Sequence, residues 1–188
     1  MDVALGLRPH SGWAAAVLVA AGPAVLARDR LVLADVPPPA QPYHAAAGLP
    51  LVAAAALIED ATRSAYELAA GAVGGLVRAH QVVGVAVVAG AGSVREDLPL
   101  ERALAAHATL HAAEGELYRD ALADAADALG LPVTLVAPRE TAALGRRLLG
   151  CDDGELRARL TELGKPLGPP WTRDHKDALV AALAVLEP

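Results

Sequence analysis

Two tight turns within the first 23 residues limit most strongly what this chain can fold into. Val3–Leu7 is a short apolar run, and Pro9-His10-Ser11-Gly12 ends it with turn residues. Trp13–Ala20 is a second run, ended by Ala21-Gly22-Pro23. Ala24–Leu33 is a third, with Arg28 and Arg30 two apart as on a half-exposed strand. Strands separated by so few residues must be joined as hairpins, because a parallel crossover needs about a dozen residues or more. The fold therefore opens with an antiparallel meander. A dinucleotide-binding domain, with a helix after its first strand, is excluded.

The rest of the chain alternates helix and strand. Pro37-Pro38-Pro39-Ala40-Gln41-Pro42 is read as a connector, neither helix nor central strand, because proline lacks the amide donor. Leu51–His80 predicts a long helix, weakened at Gly71 or Gly74-Gly75. Val82–Ala89 is apolar almost throughout, as in a strand buried on both faces. Leu98–Leu129 reads as one helix with Pro99 near its first turn and Gly130 as C-cap. Val133–Ala137 is a short strand closed by Pro138. Helices follow over Glu140–Leu149, Asp153–Leu163 (N-capped by Asp152 or Asp153) and Arg173–Leu186. Helices between the late strands impose parallel crossovers. The expected fold class is α/β: a mixed five-stranded sheet, three antiparallel N-terminal strands then two parallel ones, flanked by helices. This order is similar to the ribonuclease H-like arrangement, in one domain over residues 1–188.

Composition bounds the function. Hydrophobic residues make up 54%, mostly Ala, Val and Leu, with no Phe. At about 25 cal/mol per Å², such a core gains from many small contacts rather than a few large ones. The net charge of −6 disfavours a nucleic-acid footprint, which rests on Lys and Arg neutralising phosphates. A single cysteine, Cys151, allows no internal disulfide and points to a reducing, cytoplasmic setting. Ala14–Ala21 and Leu49–Ile58 fall short of the roughly 20 apolar residues a membrane span needs.

Three segments carry a family resemblance. Gly6-Leu7-Arg8-Pro9-His10-Ser11-Gly12-Trp13 resembles the first-strand motif of RuvC-type Holliday-junction resolvases, which begins Gly–apolar–Asp–Pro–Gly. Asp174-His175-Lys176-Asp177-Ala178-Leu179 resembles their closing helix, Asp-x-x-Asp-Ala-Leu. Gly130-Leu131-Pro132-Val133, leading to Pro138-Arg139, is similar to their fifth strand and the loop after it.

The resemblance implies two-metal phosphodiester hydrolysis, in which Mg²⁺ or Mn²⁺ stabilises the attacking and leaving oxygens. Mg²⁺ takes hard oxygen ligands, so carboxylates must converge from several elements. The family draws an Asp from strand one, a Glu from the end of strand four and two Asp from the last helix. Asp174 and Asp177, at i and i+3, share a helical face and match the last two. Arg8 stands in place of the first-strand Asp, and Val85-Ala86-Val87-Val88-Ala89 carries no acid. Arg8 either pairs with Asp174 or Asp177 in place of a metal, or points to solvent in a turn. Around Arg139–Glu155, where a resolvase has lysines, Arg146 and Arg147 are joined by Asp152, Asp153 and Glu155. These departures predict a RuvC-like protein without nuclease activity or cofactor, acting in binding or assembly, as a homodimer through its alanine-rich helices. The rival is an active metal-dependent nuclease using Asp174 and Asp177 with further acids such as Glu114. A nucleotide-binding, actin-like relative would need a phosphate loop that the sequence lacks.

Other constellations have ordinary readings. His107, His111 and Glu114 lie at i, i+4, i+7, a spacing that can hold Zn²⁺ but more commonly marks a polar helix face. Asp120, Asp124 and Asp127 repeat that spacing and read as a solvated acidic face. Gly90-Ala91-Gly92-Ser93 lacks the Gly-Lys-Ser/Thr ending of a P-loop and reads as a turn. His10 and Ser11 adjoin without a third partner for a nucleophile, and Trp13 and Trp171 read as core or lid residues.

Overall fold

In the computed structural model, which describes residues 1–89 and 98–187, the meander forms as β1 (Val3–His10), β2 (Trp13–Ala20) and β3 (Ala24–Val32). β1 is longer than the sequence suggested. Its hairpin to β2 needs only Ser11-Gly12, with Gly12 at φ 79°, so His10 pairs with Trp13 and Arg8 with Ala15. Pro9 is tolerated in this central strand because the parallel ladder to its other neighbour ends two residues earlier, at Leu7. Arg8 is thus a strand residue.

The helices are α1 (Pro42–Ala46), α2 (Leu51–Ala79), α3 (Leu100–Leu104), α4 (His107–Asp127), α5 (Thr141–Leu149), α6 (Asp153–Gly164) and α7 (Arg173–Val185). β4 (Val82–Val88) precedes α3, and β5 (Val133–Val136) precedes α5. Two expectations need correction. Pro42 opens α1 rather than only ending a connector, since a first-turn proline has no helical amide bond to lose. The helix expected over 98–129 is two, broken where Ala106 is extended. There the Thr109 hydroxyl bonds the carbonyls of Ala103 (2.7 Å) and Ala106 (2.6 Å), giving the backbone a local alternative to helix.

The sheet order is β3-β2-β1-β4-β5, antiparallel through the first three strands, with β4 parallel to both β1 and β5. Side-chain alternation gives each face its own core. Leu5, Leu7, Leu18, Val85 and Val87 pack with Ala65, Ala69 and Val73 of α2 and with Tyr118 and Leu122 of α4. Ala4, Val17 and Val19 pack with Leu179, Val180 and Leu183 of α7. The second layer is close. A Cβ built on Gly6 would lie 1.9 Å from the carbonyl oxygen of Ala178, so α7 rests directly on the β1 backbone. Among the described residues, no helix is long and apolar enough to cross a membrane.

Candidate functional site

The contact at Gly6 fixes where the aspartate pair goes. α7 starts beside the C-terminal end of β1, its first turn set by a capping box between Thr172 and His175. Ala4, Arg8 and His10 alternate onto the α7 side of the sheet, so Arg8 and His10 meet that first turn. Each aspartate finds a different partner. Asp174 Oδ1 lies 3.1 Å from His10 Nε2, an ion-pair contact without hydrogen-bond alignment. Asp177, only 15% exposed, accepts a 3.4 Å hydrogen bond from the Thr141 hydroxyl and lies 3.7 Å from Arg173 Nε. Burial raises its pKa above the ordinary carboxylate value, while Arg8, Arg173 and the Thr141 hydroxyl pull the other way.

Arg8 follows neither of the two paths the sequence left open. It forms no ion pair with Asp174 or Asp177, and it is a part-buried strand residue rather than an exposed turn residue. Its Nη1 makes a long 3.5 Å contact with the Val88 carbonyl, and its Nε is buried without a partner. The guanidinium covers the end of β4, and its charge reaches Asp177 through space. On β4 the residue facing α7 is Val88, packed with Val136 and Ala181, whereas Val87 belongs to the opposite core. Around this point the described residues offer two carboxylates, each with a basic neighbour, one guanidinium and an aliphatic side chain. That donor set does not suit a pair of hard cations.

Two clefts flank the strand ends. One, of about 240 Å³, is lined by Arg8, Pro9, Val88, His111, Arg119 and Pro138. The other, of about 330 Å³, lies between β3 and the start of α7 and is bounded by Trp13, Arg28, Arg30, Asp174 and His175. Trp13 belongs to this second cleft rather than the core. His10 stacks on it at 4.3 Å and the Arg30 guanidinium lies 3.7 Å from its centroid. Trp171 donates to the Leu160 carbonyl at 2.8 Å and covers Gly164. Burial and nearby Arg28 lower the His175 pKa. The basic residues after β5 are engaged: Arg139 with Glu140, Arg146 with Asp153 and Arg147 with Glu187.

The His107–His111–Glu114 stripe is divided. Both histidines are exposed, with Nε2 atoms 3.0 Å apart, but Glu114 is buried to 1% exposure. Glu114 Oε1 instead accepts the His44 backbone amide at 3.1 Å and lies 2.8 Å from His44 Nδ1. The third histidine is therefore His44, from α1. One ring nitrogen from each of His44, His107 and His111 lies within 4.8 Å of the other two. No spacing rule could have found His44, which is distant in sequence and sits just after the proline connector. Asp120 is half-buried against Arg119 at 2.7 Å, while Asp124 and Asp127 are exposed as expected. The turn read at Gly90–Ser93 lies outside the described residues.

Strand order, hairpin meander, parallel additions and a final helix laid across β1 together define a ribonuclease H-like fold of the RuvC type. Two solved structures share it. Thermus thermophilus RuvC in complex with a Holliday junction substrate superposes with a TM-score of 0.61 at 15% identity, covering 97% of this chain and 91% of that one. A second structure of Thermus thermophilus RuvC gives 0.57 at 15% identity, covering 96% and 90%. No protein-family model matches the chain, and no curated protein matches it in sequence.

Proposed function

We propose that this RuvC-like protein has lost two-metal nuclease activity and works through binding or assembly. The observation that carries the reading is Arg8, a cation on the α7 side of β1 whose charge already acts on Asp177. Two unit charges 4 Å apart interact by about 4 kcal/mol at an effective dielectric of about 20, so a guanidinium at that distance would oppose divalent Mg²⁺ by about twice as much. The pairing of Asp174 with His10 supports the same reading. Glu114, one example of the further acids the nuclease alternative would draw on, contacts His44.

The test is incubation with Holliday-junction and single-stranded DNA in Mg²⁺ or Mn²⁺. No cleavage is expected. Cleavage that disappears in Asp174→Asn would overturn the proposal. Because one of the similar structures holds a Holliday junction, junction DNA is also the ligand to titrate by anisotropy. With a net charge of −6, binding is expected only at low salt. Assembly as a homodimer through α2, whose Leu51 and Val52 are 50% and 85% exposed, predicts twice the monomer mass in light scattering.

A further inference from the structure

We propose that His44, His107 and His111 form a binding site for a divalent transition-metal ion of the Zn²⁺ class, held in place by Glu114. The site is separate from the aspartate pair and uses a different chemistry. His107 and His111, one helical turn apart at the start of α4, already present their Nε2 atoms 3.0 Å from each other. In a tetrahedral site with bonds of about 2.0–2.1 Å, ligand nitrogens lie roughly 3.3–3.4 Å apart. The third ring nitrogen, from His44, is within 4.8 Å of both, so rotamer adjustments rather than backbone movement close the set. The three rings meet edge to face, with centroids 4.3–5.3 Å apart, leaving the nitrogens rather than the ring faces to converge.

Glu114 makes the cluster more than three adjacent polar residues. A carboxylate at 1% exposure is costly unless something compensates its charge. Its Oε1 accepts the His44 backbone amide and lies 2.8 Å from His44 Nδ1 without hydrogen-bond alignment, and its Oε2 is buried without a partner. With Nδ1 buried beside the carboxylate, Nε2 is the His44 atom left to bind a metal. A carboxylate behind a ligating histidine is the usual device for fixing its tautomer and raising its basicity. A cation at the three rings would in turn offset the buried charge of Glu114.

The ligand set selects the ion. Three imidazoles suit Zn²⁺ and its first-row neighbours and do not suit Mg²⁺ or Ca²⁺, which take oxygen ligands. His107 and His111 are exposed, so a fourth position stays open to water. His111 also lines the cleft of Arg8 and Arg119, which places the ion at that cleft's rim.

The experiment is a competition titration of the tag-free, metal-stripped full chain with Zn²⁺ against a chromophoric chelator, with Co²⁺ absorption reporting the geometry. Expected are one ion per chain with Kd below about 10 μM, tetrahedral cobalt bands, and no displacement by millimolar Mg²⁺. His107→Ala and His111→Ala, both at exposed positions, should each weaken binding at least tenfold while leaving the melting curve unchanged. Glu114→Gln should weaken it roughly 10–100-fold. Binding weaker than millimolar, or equal in the wild type and His111→Ala, would overturn the site.

Discussion

Replacing Gly6 with alanine tests the claim that contact between β1 and α7 builds this end of the molecule. The added Cβ would lie 1.9 Å from the Ala178 carbonyl oxygen, 2.7 Å from its carbon and 3.1 Å from the Ala182 Cβ. Reaching an ordinary separation of about 3.4 Å requires α7 to retreat by roughly 1.5 Å. The obstacle is backbone held in a helix, so no rotamer change relieves it. A retreat would also loosen Ala178, Leu179, Val180, Ala181, Ala182 and Leu183, all buried against the sheet or its neighbours. Gaps of 0.5–1 Å already forfeit about a quarter to a half of each contact's dispersion energy. Overpacked cores typically lose about 1–3 kcal/mol, and a backbone clash belongs at the upper end. About 3 kcal/mol corresponds to a Tm loss of roughly 6–12 °C for a chain of this size. The control is Gly71→Ala in α2, where the added Cβ meets nothing within 4 Å and a gain of about 0.4–1 kcal/mol is expected. Far-UV circular dichroism melts and urea titrations of both variants give the comparison. If Gly6→Ala stays within about 1 kcal/mol of the wild type, α7 does not rest on β1 as described.

Three further substitutions probe the site and its supports. Asp177 has a folded pKa above its ordinary value, chiefly from burial, so its ionised form carries a penalty. That penalty is absent below the unfolded carboxylate pKa and complete above the raised folded one. Asp177→Asn should therefore raise the urea midpoint at pH 7 and lose that advantage as the pH falls towards 3; a lower midpoint at pH 7 would contradict the reasoning. The Tyr118 hydroxyl donates to the Ala40 carbonyl at 2.7 Å, and burial followed by the charge of Glu114 pushes its pKa up to about 12. Tyr118→Phe should cost about 1–2 kcal/mol in urea unfolding, and the folded wild type should still lack at least one tyrosinate at pH 11 by ultraviolet absorbance. Asp152 caps α6, accepting from the Glu155 amide at 2.9 Å, so Asp152→Ala should lose about 1 kcal/mol by the same titration.

The parts of this fold legible in the sequence are those decided by local chemistry. Turn residues at Ser11-Gly12 and Ala21-Gly22-Pro23 left no room for a crossover, and the meander followed. Proline was the less reliable guide. Pro9 looked like the end of a strand, yet β1 continues through it because β4 has stopped pairing there. The break before α4 carries neither glycine nor proline and is marked by one threonine hydroxyl bonded across it. His44 and Glu114 could not be linked by any periodicity, because the fold brings α1 onto α4 across a long stretch of chain.

The aspartate pair shows why spacing and partner choice are separate questions. A separation of three residues was enough to place Asp174 and Asp177 on one face of α7. What they meet there is set by the alternation of β1, which sends residues 8 and 10 to the same side. An acid at position 8 would have made that edge a focus of negative charge able to attract a divalent ion. With Arg8 acting on Asp177 and His10 beside Asp174, the same geometry is balanced within the protein. Arg8→Asp would remove the cation that most strongly holds the Asp177 pKa down and add a like charge nearby, so the pKa should climb further above its ordinary value. Carbon-detected NMR titration of the Asp177 carboxyl measures this directly. An unchanged titration would mean that Arg8 does not govern the charge at this edge, and the proposed loss of metal chemistry would lose its support.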